Sequence, residues 1–165
     1  FAFQPGTYQI KFGRKKLSGL YERADVFICN KEESQRILES EEEDIKKLLR
    51  AIFELGPKIT VITDGIKGAY AYDGSTSLTT GSIWFMPPYP DPKPPYERTG
   101  AGDAFSSTFT AALALGFDIP MALKWAPINS MSVVQYVGAR EGLLSREKLE
   151  EYLKKAPKDY APRKI

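Results

Sequence analysis

The sequence predicts an α/β fold, in which helices cover both faces of a mostly parallel β-sheet. Two apolar runs, at residues 24–30 and Ile59–Thr63, are rich in β-branched residues and typical of buried parallel strands. Between them, residues 41–55 place apolar side chains at helical spacing. A glycine-rich turn at residues 98–103 then opens a helix of small and apolar residues. Strands that alternate with helices favour parallel connections, with the helices packed on the sheet.

Composition restricts the classes of function. The chain has 165 residues and a net charge of +2, which suits one domain over residues 1–165 with a sizeable core. Acids and bases are interspersed, so there is no electrostatic basis for binding nucleic acid. The chain contains no histidine and one cysteine, which excludes Ser-His-Asp triads, zinc–histidine sites and disulfide frameworks within it. We find no signal peptide and no apolar run of membrane-spanning length, and therefore expect a cytoplasmic protein without membrane contact.

In the first part of the chain, apolar runs and turn residues mark short elements. The helix predicted at residues 41–55 begins with a run of acids, which suits the positive end of the helix dipole, and Gly56-Pro57 ends it. The other elements predicted here are a strand at residues 1–3, a turn at 4–6, a helix at 17–21 and a strand at 24–30.

After the strand Ile59–Thr63, the chain turns at Asp64-Gly65 and returns as a strand at residues 68–72. We predict a hairpin turn at residues 73–74 and short strands at 78–81 and 83–86. The proline-rich stretch at residues 87–95 is expected to be extended and to act as a rigid connection, with an SH3-domain ligand as the alternative interpretation.

The last part of the chain is predicted to be helical. The helix that follows the glycine-rich turn has a core face that includes Phe105 and Phe109, and Gly116 ends it. Further helices are expected from Ile119 to about Val137 and at residues 146–155, followed by a polar, frayed tail at 157–165.

The glycine-rich turn is the strongest candidate for chemistry. Gly100 and Gly102 allow close approach to the backbone, and amides at a helix N-terminus favour an anion. Asp103 lies in the same first turn, where its carboxylate could activate a hydroxyl group for phosphoryl transfer. The alternative is that Asp103 is simply a favourable residue for the start of a helix.

A second candidate lies where the strand at residues 24–30 ends. Asn30 and Glu33 occupy the carboxyl end of this strand, where ligands bind in open α/β sheets, and oxygen ligands suit Mg²⁺. The alternative is purely structural, because Asn30 and Glu33 have the spacing of a helix capping box.

The string TGAGDAF at residues 99–105 resembles the signature near the C-terminus of ribokinase-like (PfkB-type) carbohydrate kinases. The Asn-X-X-Glu spacing at residues 30–33 resembles the family motif that organises magnesium and phosphates through water. The string TDGIKG at residues 63–68 resembles the loop that borders the nucleotide, and residues 138–142 resemble the turn that closes over the nucleotide and cation site. The implied fold is a partial, three-layer α/β/α ribokinase-like sandwich that comprises the nucleotide-binding half.

The resemblance also implies roles for individual residues. It makes Asp103 the catalytic base and the backbone amides of Gly100, Ala101 and Gly102 the anion hole. It implies metal binding at Asn30, Glu33, Glu97 and Thr99, with Mg²⁺ at the first pair and a monovalent cation (K⁺) at the second. Many relatives carry aspartate at the position of Glu97, which is longer. It implies nucleotide contacts from Thr63, Gly65, Lys67, Gly68, Asn129 and Gly142.

Two of these assignments have structural alternatives. Residues 63–68 also suit a plain strand–turn–strand connection with glycines at positions of positive φ. In place of a residue that lines an adenine pocket, Asn129 could be an exposed or capping asparagine.

The implied function is ATP-dependent phosphorylation of a hydroxyl group on a sugar or nucleoside. Family members are about twice this long, so we expect the N-terminal half, which binds the acceptor and carries a lid, to be absent. A homodimer through the surface that this exposes is then expected. One alternative is an inactive nucleotide-binding or self-associating module, and another is a kinase for hydroxymethylpyrimidine- or pyridoxal-type acceptors.

Overall fold

The structure is a computed structural model that describes residues 1–74 and 81–165. The strand predicted at residues 78–81 falls mostly outside these residues. The chain divides into two compact units, one formed by Phe1–Phe85 with Lys164–Ile165 and the other by Met86–Arg163. The single domain expected from chain length stays a prediction.

The first unit is built on a β-sheet. Strands β1 and β2 are parallel, as are β2 and β3, whereas β4 runs antiparallel to β3. In the register of β2 and β3, Asn30 lies opposite Thr63, so both polar residues end their strands at the same edge of the sheet. Among the described residues, six strands follow one another across the sheet in chain order: β1 (Ala2–Phe3), β2 (Val26–Asn30), β3 (Ile59–Thr63), β4 (Ala69–Asp73), β5 (Ser82–Met86) and β6 (Arg163–Lys164).

The helices of this unit are α1 (Thr7–Lys11), α2 (Ser18–Arg23), α3 (Lys31–Leu38) and α4 (Ile45–Phe53). The sequence patterns did not predict α1. The prediction that α4 begins at residue 41 was wrong, because the acids at 41–44 precede the helix. Asp44 is the N-cap and accepts the Lys46 N–H at 2.8 Å.

Both faces of the central strands are buried, as their almost continuous apolar sequences require. On one face, Phe27, Cys29 and Ile62 pack with side chains of α3 and α4. On the other face, Ile28 and Val61 are also buried. The helical residues of the core include Ile37, Leu48, Leu49 and Ile52.

The thiol of Cys29 is enclosed in this core, and its residue is only 2% exposed. Burial raises its pKa well above the ordinary value, and the nearby charge of Glu33 acts in the same direction. We expect iodoacetamide to label Cys29 at pH 8 about a hundredfold more slowly in the folded protein than in denaturant. Equal labelling rates in the two states would contradict this burial.

The second unit is helical, with α5 (Ala101–Ala114), α6 (Ile119–Val133) and α7 (Arg146–Lys154). Helix α6 ends before the predicted Val137. The carbonyl of Val134, which a continuing helix would pair with the Gly138 N–H, accepts the Tyr96 N–H at 2.8 Å instead. The proline-rich stretch 87–95 contains neither helix nor strand.

The prediction of a frayed tail was wrong. Tyr160 is only 5% exposed, and its hydroxyl donates to the Lys124 carbonyl of α6 at 2.6 Å. Burial raises the pKa of this phenol, and the ring packs edge-on against Tyr89. At the end of the chain, the Ile165 N–H donates to the Ile83 carbonyl of β5 at 3.0 Å.

Within the part of the chain that the structure describes, no helix combines the length and the apolar character needed to cross a membrane.

Candidate functional site

In the first unit, Asn30 and Glu33 form a capping box at the start of α3. Asn30 Oδ1 accepts the Glu33 N–H at 2.8 Å, and Glu33 Oε2 accepts the Asn30 N–H at 2.8 Å. The structural interpretation of this pair is therefore confirmed. These two bonds use one carboxylate oxygen of Glu33, and Asn30 is exposed at the carboxyl edge of the sheet. A role in binding magnesium or phosphate stays a prediction.

The segment after β3 is a tight turn between antiparallel strands. The Asp64 N–H donates to the Gly68 carbonyl at 2.8 Å, and a 3-10 turn spans Gly65–Lys67. Gly65 and Gly68 have φ of 53° and 102°, in the region that favours glycine. The strand–turn–strand alternative is therefore observed. The turn also leaves Gly65 and Lys67 exposed next to Thr63, so nucleotide contacts from them stay a prediction.

The sequence interpretation overlooked Lys31, which directly follows the strand end. Its ammonium group donates to Glu43 Oε2 at 2.6 Å, and this hydrogen bond raises its pKa. The charge of Asp64 acts in the same direction. The signal that could have identified Lys31 is its position, because it is the first residue of a helix that follows a buried strand.

In the second unit, the glycine-rich turn forms the start of α5. Gly100 is the N-cap with φ of 80°, and Asp103 is the exposed third residue of the helix. Gly100 has no side chain with which to cap the helix, so the first amides remain suited to an external anion. The Ala101 N–H already donates to the Arg98 carbonyl at 3.3 Å, so an anion would have to share or replace this bond.

Residues 134–144, here called the covering loop, lie against this turn. The Gly138 N–H donates to Glu97 Oε1 through a short hydrogen bond. A Cβ on Gly100 would lie 2.7 Å from Ala139 Cα, which shows how closely the two backbones approach. Farther along the loop, Gly142 has φ of 79°, and its carbonyl accepts the Ser132 hydroxyl at 2.7 Å. The structure thus brings Glu97 and Gly100 into contact with the loop that contains Gly142.

Two other predicted residues have different surroundings. Asn129 is only 6% exposed and is bonded to the Thr108 hydroxyl and the Leu144 N–H, so it is neither an exposed residue nor a helix cap. Thr99 is exposed just before the turn. Among the described residues, no group of three or more Asp, Glu, Cys or His side chains could hold a metal ion.

The sequence profile of the pfkB family of carbohydrate kinases matches residues 7–146, which is most of the chain. This chain belongs to the pfkB family of carbohydrate kinases. The resemblance to ribokinase-like kinases that the sequence motifs indicate is therefore confirmed.

Relatives in the family include several small-molecule kinases. The chain is 29% identical over 137 residues to a 5-dehydro-2-deoxygluconokinase from Halalkalibacterium halodurans, an alignment covering 81% of this chain and 39% of that one. It is 32% identical over 117 residues to a cytidine kinase from Thermococcus kodakarensis, covering 69% and 38%. It is 37% identical over 100 residues to the Bacillus subtilis ribokinase, covering 60% and 31%.

Solved structures confirm the predicted ribokinase-like α/β fold. A Burkholderia thailandensis nucleoside kinase in complex with inosine aligns with a TM-score of 0.77 at 20% identity, over 99% of this chain and 49% of that one. An Arabidopsis thaliana ribokinase complexed with ribose and ATP aligns with a TM-score of 0.71 at 23% identity, over 83% and 43%. The pfkB chain described here thus spans less than half the length of these relatives.

Proposed function

We propose that this chain carries the ATP-binding part of a kinase that phosphorylates a hydroxyl group of a sugar or nucleoside. The observation that carries the proposal is the start of α5, where Gly100 adopts φ of 80° and Asp103 lies in the first helical turn. Family membership supports the reaction class, because the matching profile is that of carbohydrate kinases.

The roles at this turn follow from its chemistry. The amides of Gly100, Ala101 and Gly102 would stabilise negative charge on the transferred phosphoryl group, since amides at a helix start are fixed donors. Asp103 would accept the proton of the attacking hydroxyl group, which makes the oxygen a better nucleophile. Neither role requires a cysteine or histidine.

In the first unit, the resemblance implies nucleotide contacts from the turn after β3 and from the end of that strand. We assign this role to Thr63 at the strand end and to the turn that follows it, in which Gly65 and Lys67 are exposed and Gly68 is buried. Lys67 is a suitable partner for phosphate because its side chain is 69% exposed and lies 3.8 Å from Asp64, a weak ion pair. In the second unit, Gly142 is assigned to the nucleotide on the resemblance. The resemblance implies the same for Asn129, whose amide is bonded to Thr108 and Leu144.

The residues present fit two kinds of cation. Asn30 and Glu33 offer oxygen atoms at the carboxyl edge of the sheet, which suits Mg²⁺ bound through water. When bound, Mg²⁺ would neutralise phosphate charge. Glu97 and Thr99 are assigned to K⁺, and Glu97 keeps one carboxylate oxygen beyond the one that accepts the Gly138 N–H.

A non-catalytic module that binds nucleotide or self-associates is the second candidate. The observation that favours self-association is a pair of aromatic side chains, Tyr8 on α1 and Phe12 directly after it, which are 78% and 58% exposed. A dimer in light scattering, together with ATP binding and no phosphorylation of any acceptor in a sugar and nucleoside panel, would support this candidate over the kinase.

Titration of ATP and Mg²⁺ into the 165-residue chain tests the nucleotide assignment. We expect saturable binding, and we expect Glu33→Gln to weaken it about tenfold, because the amide loses the charge that organises the metal. Glu33→Gln should retain the thermal midpoint, since glutamine also completes a capping box. Glu33→Ala should weaken binding similarly and also lower stability by about 1 kcal/mol.

Ser145→Ala is the matched control, because Ser145 caps α7 by accepting the Lys148 N–H. It should lower stability and leave ATP affinity unchanged. A folded wild-type chain that binds no ATP would refute the nucleotide assignment, and full affinity in Glu33→Gln would refute the magnesium role alone.

A further inference from the structure

Asn129 is a buried polar side chain in the middle of α6, a helix whose other central residues are mostly apolar. Its amide nitrogen donates to the Thr108 hydroxyl of α5 at 2.7 Å. Its amide oxygen accepts the Leu144 N–H at 2.9 Å, at the last position of the covering loop. One side chain thus connects two helices and the loop.

The chemistry of the contacts accounts for asparagine at this position. A backbone N–H can only donate, so the atom that faces Leu144 must be the amide oxygen. The nitrogen then faces Thr108, whose hydroxyl can accept. An apolar residue of the same size would leave the Leu144 N–H and the Thr108 hydroxyl without this partner inside the protein, which is costly for buried groups.

The covering loop is held at both of its ends. Near its start, the Gly138 N–H is bonded to Glu97, and Ala139 lies against Gly100. Near its end, the loop depends on the Ser132–Gly142 bond and the Asn129–Leu144 bond. Without the Asn129 bond, the Ser132–Gly142 bond would remain at this end of the loop, and residues 143–144 would lose their link to α6.

We propose that Asn129 and Thr108 are a positioning pair that holds the covering loop against the start of α5 and thereby maintains the anion-binding geometry of that turn. The proposal rests on the proposed function for its effect on ATP. It differs from the adenine contact that the family resemblance implies for Asn129, because here the residue acts through the loop and not on the base.

The experiment compares variants of the full chain. Asn129→Leu removes both bonds and Thr108→Val removes the bond between the two side chains, each at nearly constant volume, whereas Thr108→Ser retains the hydroxyl. Tyr160→Phe is the control, because it removes a buried hydrogen bond to α6, at Lys124, without involving the loop. The readouts are amide hydrogen exchange of residues 138–144, affinity for ATP, and the ratio of ATP to GTP affinity.

We expect exchange of the loop amides to be about tenfold faster in Asn129→Leu and Thr108→Val, because opening of the loop is less costly. ATP affinity should fall at least about fivefold in both, with an unchanged ATP-to-GTP ratio. Thr108→Ser and Tyr160→Phe should retain wild-type exchange and affinity. If Asn129→Leu does not fold, the proposal is tested by comparing loop exchange and ATP affinity in Thr108→Val with those in Thr108→Ser.

Three results would overturn the proposal. Unchanged loop exchange would show that the pair does not hold the loop. Faster exchange with full ATP affinity would show that the loop does not position the turn. An altered ATP-to-GTP ratio would assign Asn129 to base recognition. If the wild-type chain binds no ATP, the proposed function fails, and loop exchange alone then decides whether the pair holds the loop.

Discussion

Replacement of Asp103 by asparagine is expected to lower phosphorylation turnover by about a thousandfold while ATP affinity stays within about twofold. An asparagine amide cannot accept the proton of the attacking hydroxyl group, although it has nearly the size of the carboxylate. Asp103 is exposed at the third position of α5, where its loss should leave the fold intact. The measurements are the initial rate of phosphorylation with a panel of sugars and nucleosides, and the ATP affinity by titration.

Asp118→Asn is the matched control, because Asp118 also stands at the start of a helix. Asp118 is the N-cap of α6 and accepts the Met121 N–H at 2.9 Å, a role that asparagine fills equally well. We expect full turnover in this variant. If Asp103→Asn turns over as fast as the wild type, Asp103 is not the base.

Replacement of Gly100 by alanine is expected to lower the free energy of unfolding by about 3 kcal/mol and to abolish measurable ATP binding. Gly100 has φ of 80°, where an alanine costs about 1–2 kcal/mol. The added Cβ would also lie 2.7 Å from Ala139 Cα and 2.9 Å from the Ala139 carbonyl oxygen, so backbone must move. Movement of the covering loop disturbs the turn that would hold the phosphate.

Gly116→Ala is the control that separates the cost of a positive φ from the cost of steric overlap between Cβ and its neighbours. Gly116 follows the other end of α5 with φ of 86°, and a Cβ there would meet nothing within 4 Å. Chemical denaturation should show a loss of about 1 kcal/mol in this variant, with ATP binding retained. Equal losses in the two variants would contradict the close approach of Gly100 to Ala139.

The elements predicted best from the sequence are those with a local cause. Strand β3 has the predicted bounds, Ile59–Thr63, because its β-branched run suits a buried strand and turn residues follow it. Helix α5 begins within the glycine-rich turn, directly after Gly100, since Gly100 adopts the positive φ that only glycine accepts readily. The capping box of Asn30 and Glu33 also has a local cause, because the spacing of these two residues predicts it.

The start of α4 and the undetected helix α1 are local errors, whereas the others concern residues whose partners are distant in the chain. Helix α6 ends at Val133 because Tyr96 and Glu97 bond to the chain that follows it, and no local pattern shows this. The tail is ordered because the Tyr160 hydroxyl donates to the carbonyl of Lys124, thirty-six residues earlier in the chain. The surroundings of Asn129 depend on Thr108 and Leu144, so its spacing along α6 could not show them.

By itself, the sequence determined the α/β class, the family and the candidate turn at residues 98–103, because local propensity and glycine placement act over a few residues. Only the tertiary structure decided that the covering loop meets this turn and that Glu97 and Asn129 hold the loop at its two ends. The physical reason is that a buried polar atom must find a partner in space, and these partners lie far apart in the chain.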